Sequence, residues 1–129
     1  SCIASAVEFV HIGSKTYYIS KERRLSWPEV DQKCRELGGQ MMNVETQEEA
    51  NAVSERLKPH NFWVGIWDPK NINDYISVNT GRKPQFLHWI PGEPNKWNNV
   101  ESCVELKSYG HTYLMNDFKC NVKQPFVCE

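Results

Sequence analysis

The sequence lacks the short motifs that mark several classes of enzyme and metal site. No Cys-x-x-Cys pair is present, which argues against a zinc ribbon and against a thioredoxin-type site. There is no Gly-x-Ser-x-Gly elbow, no glycine-rich phosphate loop and no HExxH pair among the four histidines. These absences give no support to nucleophilic, phosphoryl-transfer or zinc chemistry, and we expect a protein that is not an enzyme.

Excess charge and long apolar runs are lacking as well. The formal net charge is −1 and the charged residues are spread along the chain, so we expect neither nucleic acid nor a membrane as a partner. No stretch approaches the roughly 18 consecutive apolar residues of a membrane span. The first residues show no basic segment followed by an apolar run, and we expect a mature chain without its signal peptide. The length of 129 residues predicts one domain, residues 1–129.

Cysteines are present but odd in number. Five are scattered along this small chain, a pattern typical of disulfides and hence of an oxidising compartment. We therefore expect a secreted, extracellular protein. Because five is odd, at least one cysteine has no partner within the chain.

Runs of β-branched and aromatic residues predict several short strands. The runs 8–12 and 15–19 flank Gly13-Ser14 and predict a hairpin. The apolar run 61–67 is too short for a helix and predicts a buried central strand. Further strands are expected late in the chain, at 102–107, 112–115 and 125–128.

Two capping boxes predict two helices early in the chain. Ser26 lies three residues before Glu29, and the helix that starts there is expected to end at Gly38. A second box begins at Thr46 and predicts a helix that stops before Pro59.

Residues 68–99 form a long segment rich in Asn, Pro and Gly, with little periodicity. A loop of this length inside a compact domain is usually functional. Within it, Glu93 and Asn95 flank Pro94, and both side chains end in oxygen. Calcium takes about six to eight oxygen ligands in proteins. If the Glu93–Pro94 peptide bond is cis, both side-chain oxygens can face the same side of the loop.

Glu101, Asn116 and Asp117 carry further oxygen atoms in the neighbouring sequence. Together with Glu93 and Asn95 they predict a calcium cage of five side chains. A Glu-Pro-Asn or Asn-Asp sequence taken alone is most often a solvated turn. The framework of cysteines and tryptophans around these residues favours the calcium interpretation.

Several motifs, in one order along the chain, resemble the C-type lectin-like domain family. The segment 63–66 is similar to its Trp-Ile-Gly-Leu strand, and the segment 89–95 is similar to its Trp-x-x-Gly-Glu-Pro-Asn loop. The segments that resemble later family motifs are 101–104, 114–117 and 126–129. The resemblance implies an α+β, C-type lectin-like fold. In that fold two helices flank small antiparallel sheets and a long calcium-binding loop, and disulfides staple the chain.

The resemblance also implies the disulfides Cys34–Cys128 and Cys103–Cys120. In chain-entropy terms, each would contribute about 3–5 kcal/mol to stability. Cys2 is then left without a partner in the domain. It can bridge to a second copy or to a different protein, giving a disulfide-linked dimer or heteromer, or it can remain a capped or flexible thiol.

The same resemblance implies a calcium site that also binds carbohydrate. Its ligands for one Ca²⁺ ion would be Glu93, Asn95, Glu101, Asn116 and Asp117, and the same side chains would hydrogen-bond vicinal sugar hydroxyls. The order of acid and then amide around the proline implies a preference for mannose, fucose, N-acetylglucosamine and glucose. The reversed order favours galactose.

Departures from the family pattern limit these expectations. Met115 stands where the family has a tryptophan under the loop, a volume that methionine can fill. Lys96 and Ser102 stand where many members have the acids of an auxiliary calcium site, so we expect a single calcium. Trp97 is expected to pack under the loop, with contact to a sugar as the alternative. His88 is expected to lie close enough to the loop to touch a ligand.

The sequence thus predicts a lectin that recognises mannose-type carbohydrate on cell-surface or microbial glycans, with roles in immunity, adhesion, venom or saliva left open. The alternative is a lectin-like domain that binds a protein partner without dependence on sugar. Glycoside hydrolysis is disfavoured because Glu93 and Glu101 stay ionised when they hold calcium, whereas a general acid needs a raised pKa.

Overall fold

The first two strands form the hairpin that the sequence predicts. The computed structural model describes residues 7–97 and 101–129, with side chains described from residue 9 and, after the gap, from residue 102. Strand β1 (Val7–Ile12) pairs antiparallel with β2 (Lys15–Leu25). Gly13 in the turn has a φ of 61°, a left-handed conformation that glycine adopts without steric cost. Strand β2 runs beyond the predicted residue 19 because its second half also pairs with the last strand of the chain.

Both predicted helices are present, at α1 (Trp27–Glu36) and α2 (Gln47–Ser54). The backbone N–H of Ser26 donates to Glu29 Oε1 over 2.8 Å at the start of α1. At the start of α2 the hydroxyl oxygen of Thr46 accepts from the backbone N–H of Glu49 over 3.0 Å. In both contacts a side-chain oxygen accepts from a backbone N–H group at the start of a helix, where such groups have no partner within the helix.

Helix α2 ends earlier than the sequence predicts. After Ser54, the N–H groups of Arg56 and Leu57 donate to carbonyls three residues back, at 3.0 Å and 2.9 Å, so the chain tightens into turns. The residue that precedes Pro59 is also biased against the helical conformation, which explains why the pattern through Leu57 did not continue as helix.

The remaining strands complete one seven-stranded sheet. They are β3 (Phe62–Trp67), β4 (Ile76–Ser77), β5 (Glu101–Tyr109), β6 (Thr112–Lys119) and β7 (Gln124–Cys128). The order is β1-β2-β7-β3-β5-β6, and β4 pairs with β3. The predicted strands are therefore confirmed, although β5 and β6 are longer than expected.

One pairing in this sheet differs from the expected antiparallel arrangement. Strand β3 lies parallel to β7, with Trp63 opposite Phe126, whereas the other strand pairs are antiparallel. Local sequence patterns cannot reveal this pairing, since it joins segments that are far apart in the chain.

Two buried tryptophans close the core between α1 and the sheet. The indole N–H of Trp27 donates to the Val64 carbonyl over 2.8 Å, and that of Trp63 donates to the Leu25 carbonyl over 3.1 Å. Both side chains are almost fully buried, so these bonds satisfy polar atoms that would otherwise be costly in the interior.

Both predicted disulfides are confirmed. Cys34 in α1 is bonded to Cys128 in β7, and Cys103 in β5 is bonded to Cys120, just after β6. The first bridge ties the first helix to the end of the chain, and the second ties together the two strands that carry the candidate site. Cys2 lies outside the described residues.

Within the part of the chain that the structure describes, no helix is long and apolar enough to cross a bilayer.

Candidate functional site

The segment before the Glu-Pro-Asn motif is fixed against strand β6. The backbone N–H of Met115 donates to the His88 carbonyl over 2.8 Å, and the Ile90 N–H donates to the Met115 carbonyl over 2.9 Å. Met115 is fully buried, and Trp89 packs its ring edge on Tyr75 with 4.9 Å between ring centroids. Methionine therefore fills the position under the loop.

The loop itself turns at the predicted residues. The Glu93–Pro94 peptide bond is cis. Glu93 Oε1 accepts from the backbone N–H of Asn95 over 3.1 Å, and Asn95 Oδ1 accepts from the backbone N–H of Trp97 over 3.1 Å. The two side-chain oxygens thus stabilise the loop through its own backbone.

Asp117, in β6, is the point at which the loop meets the sheet. Its side chain is fully buried, and its carboxylate accepts from the backbone N–H groups of Asn95 and Lys96 over 3.3 Å and 2.8 Å. The hydroxyl of Tyr75 lies 3.4 Å from the same carboxylate. The structure therefore places Glu93, Asn95 and Asp117 side by side, although they come from two distant segments.

Asn116 is held by a carboxylate that the sequence did not single out. Its Nδ2 donates to Glu105 Oε2 over 2.8 Å, and both residues are buried. They are direct neighbours across β5 and β6, because Glu105 pairs with Asn116 in the register. This bond uses an N–H of the carboxamide, so the Asn116 Oδ1 points away from Glu105. Glu105 is an acid between two apolar residues of a predicted strand, and this is the signal in the sequence that could have identified it.

Glu101 begins β5 opposite Lys119, but its side chain lies outside the described residues. The structure thus brings three of the five predicted ligands together, Glu93, Asn95 and Asp117. Asn116 adjoins Asp117 in β6 and its side chain contacts Glu105, so its part in the site, like that of the Glu101 side chain, stays a prediction.

A buried ion pair lies on the inner side of the loop. Lys96 Nζ is 2.5 Å from Asp68 Oδ2, and these side chains are 10% and 0% exposed. Asp68 also accepts from the backbone N–H groups of Ile72 and Asn73 over 3.2 Å and 2.7 Å. Burial alone would raise the pKa of Asp68, but the Lys96 ammonium and the two N–H groups together hold that pKa below its usual value.

Asp68 was not predicted from the sequence, although it follows directly after the buried strand β3. Tyr75 was not predicted either, and its ring centroid is 4.8 Å from Lys96 Nζ. The signal for Tyr75 was its position as an aromatic residue inside a polar segment. It was not used because that segment shows no periodicity that predicts which side chains are buried.

Trp97 does not pack under the loop, and that expectation was wrong. Its side chain is 57% exposed, and the Lys119 ammonium lies 5.5 Å from its ring centroid. The space beneath the loop is already filled by Trp89 and Met115. His88 is exposed, and its Nδ1 lies 2.8 Å from Gln47 Oε1 in α2, so its observed polar contact is with a helix and not with a predicted ligand.

The donor atoms near the loop fit a hard cation. Glu93 and Asp117 offer carboxylates and Asn95 and Asn116 offer carboxamide oxygens, a set that suits calcium and lacks the nitrogen and sulfur ligands of zinc. Among the described side chains, no group of three or more His, Cys, Asp or Glu is arranged to hold a metal. The predicted calcium site includes two described residues of these types, Glu93 and Asp117. Its other members are two asparagines and Glu101, whose side chain lies outside the described residues.

The whole chain can be compared with known families. A family model described as "Lectin C-type domain" matches residues 23–129. The chain belongs to the C-type lectin domain family. Members are carbohydrate-binding domains that are generally not enzymes, and the predicted fold class is confirmed.

Individual relatives agree with this family. C-type lectin 37Db of Drosophila melanogaster is 36% identical over 121 residues, which cover 93% of this chain and 80% of that protein. The chain spans 45% and 60% of the next two curated relatives, which are longer lectins.

Two solved structures show the fold in different settings. The C-type lectin domain of murine dendritic cell inhibitory receptor 2, determined in complex with an N-glycan, has a TM-score of 0.80 at 23% identity, covering 93% of both chains. A calcium-independent type II antifreeze protein has a TM-score of 0.78 at 16% identity, covering 95% of this chain and 94% of its own. At these identities the likeness concerns the fold alone.

Proposed function

We propose that this chain is a single, secreted carbohydrate-recognition domain, spanning residues 1–129, that binds mannose-type sugars with the help of one calcium ion. The observation that carries the proposal is the meeting of the Glu-Pro-Asn loop with the Asp117 carboxylate, which accepts from the backbone N–H groups of Asn95 and Lys96. The two disulfides support secretion, since such bonds persist in oxidising compartments.

The residues that would hold the ion are Glu93, Asn95, Glu101, Asn116 and Asp117. When bound, calcium supplies positive charge and coordination positions for two vicinal hydroxyls of a sugar. The donor set contains three carboxylates and two carboxamides, so it offers oxygen atoms alone and enough negative charge to offset a divalent cation.

The same side chains would also orient the sugar. A carboxylate oxygen accepts from a hydroxyl proton, whereas an asparagine N–H donates to a hydroxyl oxygen. The Asn116–Glu105 bond fixes which end of the Asn116 carboxamide is oxygen and which is nitrogen. The side chains of Glu93 and Asn95, half-buried and exposed, are open enough to meet a ligand at the surface.

The order of these groups supports the mannose-type preference. Glu93 precedes the proline and Asn95 follows it, and the family resemblance associates this order with equatorial 3- and 4-hydroxyls. A shallow site of this kind binds single sugars weakly, and linked copies would raise the avidity. Cys2 is a candidate for that link. Non-reducing electrophoresis of the secreted full-length protein tests it, and a single monomer band would contradict it.

The experiment that tests the function is glycan-array binding of the folded chain, with calcium and again with EDTA. Mannose- or fucose-class binding that disappears with EDTA is the expected result. The variant Glu93→Gln with Asn95→Asp should move the preference toward galactose. If this variant folds, keeps calcium and still prefers mannose, the argument from acid–amide order is wrong.

A second candidate function is binding of a protein partner without sugar. Trp97 and Ile72 favour it, because their large apolar side chains are 57% and 62% exposed near the loop. Binding that survives EDTA and excess free sugar would support this alternative, and a glycan array without any signal that EDTA abolishes would contradict the calcium-dependent function.

A further inference from the structure

Lys96 has a nearly buried side chain, although its neighbours in the loop, Asn95 and Trp97, are exposed. Its side chain is 10% exposed, whereas lysine is almost never buried unless its charge is paired. Its ammonium reaches the carboxylate of Asp68 and lies over the ring of Tyr75. The charge is therefore enclosed between an anion and the negative face of an aromatic ring.

Asp68 is a rigid anchor for this ammonium. Its carboxylate is held by the backbone N–H groups of Ile72 and Asn73, and its own N–H donates to the Ser102 carbonyl over 2.7 Å. Asp68 thus connects the end of β3 with the start of β5. A group that contacts Asp68 is therefore attached to the sheet.

The backbone of Lys96 is attached at a second point. Its N–H donates to Asp117 Oδ2 over 2.8 Å, and its φ is 51°. A lysine in the left-handed conformation is disfavoured, and it persists where the surrounding contacts impose it. Lys96 is therefore hydrogen-bonded through its main chain to β6 and ion-paired through its side chain with the residue that follows β3.

From these contacts we propose that Lys96 is a positioning residue. Its ammonium, held by Asp68 and Tyr75, keeps residues 93–97 in the geometry that presents Glu93 and Asn95 before calcium binds. The cation that holds the loop in this geometry is then the Lys96 ammonium, a group of the chain itself. The inference rests on the proposed calcium site for its functional consequence, but the arrangement of the metal-free loop can be measured independently.

The consequence for binding is quantitative. The apparent dissociation constant of a ligand equals the intrinsic constant divided by the fraction of the protein in the competent conformation. If removal of the ion pair lowers that fraction to about a tenth, the apparent dissociation constant for calcium rises about tenfold. The backbone amides of Asn95 and Lys96 should lose protection from hydrogen exchange to the same extent.

The test uses the double variant Lys96→Met with Asp68→Asn. Both charges are removed together, because either single change would leave the other charge buried without its partner. Asparagine keeps one acceptor oxygen, which can replace the acceptor of either the Ile72 or the Asn73 N–H group but not both. The matched control is Lys58→Met, which removes an exposed ammonium that pairs with Glu55 outside the loop.

Hydrogen exchange of the loop amides is measured in EDTA, and calcium affinity is measured by titration calorimetry. We expect the protection of the loop amides and the calcium affinity each to fall about tenfold in the double variant, and the control to match the wild type. A folded double variant that keeps loop protection and calcium affinity within twofold of the wild type would overturn the proposal.

A measurement on the wild-type chain covers the case in which the double variant does not fold. The Lys96 ammonium protons should be visible by NMR in EDTA, slowed in exchange and shifted by the Tyr75 ring; rapid exchange at an unshifted position would refute the proposal. If the wild type binds no calcium, the proposed function is wrong, while loop protection that depends on Lys96 still supports its positioning role.

Discussion

Two lysines, Lys15 and Lys96, contact acidic or aromatic side chains, but they stabilise different parts of the domain. Lys15 Nζ lies within 2.7 Å, 3.0 Å and 3.1 Å of carboxylate oxygens of Glu45, Glu49 and Glu129. Lys96 contacts one carboxylate and one aromatic ring. Lys15 is thus surrounded by excess negative charge, whereas the charge of Lys96 is balanced by a single acid.

The partners of Lys15 come from distant segments. Glu49 lies in α2, Glu129 ends the sequence, and the Asn43 carbonyl accepts from the same ammonium over 3.0 Å. Lys15 therefore joins the first hairpin to the second helix and to the last strand. Lys96 joins one surface loop to the sheet beside it. The same ammonium group therefore stabilises the whole fold at Lys15 and positions a local segment at Lys96.

The largest expected effect comes from Lys15→Met. This change leaves three carboxylates close together without their cation, and we expect the free energy of unfolding to fall by about 3 kcal/mol. Urea denaturation with the disulfides intact measures it. The control is Lys58→Met, which breaks an exposed ion pair with Glu55 and should have little effect. A loss from Lys15→Met as small as that of the control would remove the contrast between the two lysines.

A smaller effect is expected when Glu105 is changed, because this residue acts locally at the candidate calcium site and not on the whole fold. Glu105→Leu removes the acceptor that orients Asn116, and we expect calcium affinity to fall about tenfold. Glu105→Gln keeps an acceptor oxygen and should lie within a few-fold of the wild type. Calorimetric titration separates the two. Equal affinity in all three proteins would show that Glu105 does not position Asn116.

Alkaline pH should act on the Lys15 cluster. Burial by itself lowers the pKa of Lys15, but hydrogen bonds to its three carboxylates outweigh burial and raise that pKa above its usual value of 10.5. Burial and then the bond to Glu49 raise the pKa of Tyr17 as well. Both groups hold their protons more tightly in the folded chain, so their contribution is complete below about pH 10 and is lost as pH rises further.

Urea midpoints measured between pH 9 and 11.5 test this pH dependence. The wild type should lose stability across that range, and Lys15→Met should lose less, since one of the two groups is absent. A pH profile that is the same in both proteins would show that Lys15 is not responsible.

The smallest effect is expected from Trp97→Ala. Because Trp97 is mostly exposed, its removal should change the free energy of unfolding by less than about 0.5 kcal/mol. Hydrogen exchange of the metal-free loop should also be unchanged, and sugar affinity should change by a few-fold at most. Loss of loop protection would mean that the loop is held from the outer side and not by Lys96.

Much of the fold was accessible from local sequence. The hairpin turn at Gly13, the capping boxes at Ser26 and Thr46, and the buried run 61–67 each have a local physical cause, and each is found where it was expected. The end of α2 was misplaced because the periodic apolar positions continue to Leu57, although the hydrogen bonds already tighten after Ser54.

The site was predicted in part. Glu93, Asn95, Asn116 and Asp117 could be proposed because their oxygen atoms suit one cation and their motifs resemble one family. The contribution of Asp68, Tyr75 and Glu105 could not be anticipated, since each acts through a residue that is distant in sequence. The position of Trp97 was misjudged because composition does not tell which aromatic residue fills a limited space.

The strands, the helices and the oxygen-rich loop could be predicted from local sequence, and the family resemblance implied the disulfide pairs. Backbone propensity, capping and turn chemistry act over a few residues, so they can be read locally. The parallel pairing of β3 with β7 and the inward turn of Lys96 to Asp68 are visible only in the folded chain. Both depend on packing between distant segments, where the cost of burying a charge is met by a partner from elsewhere in the chain.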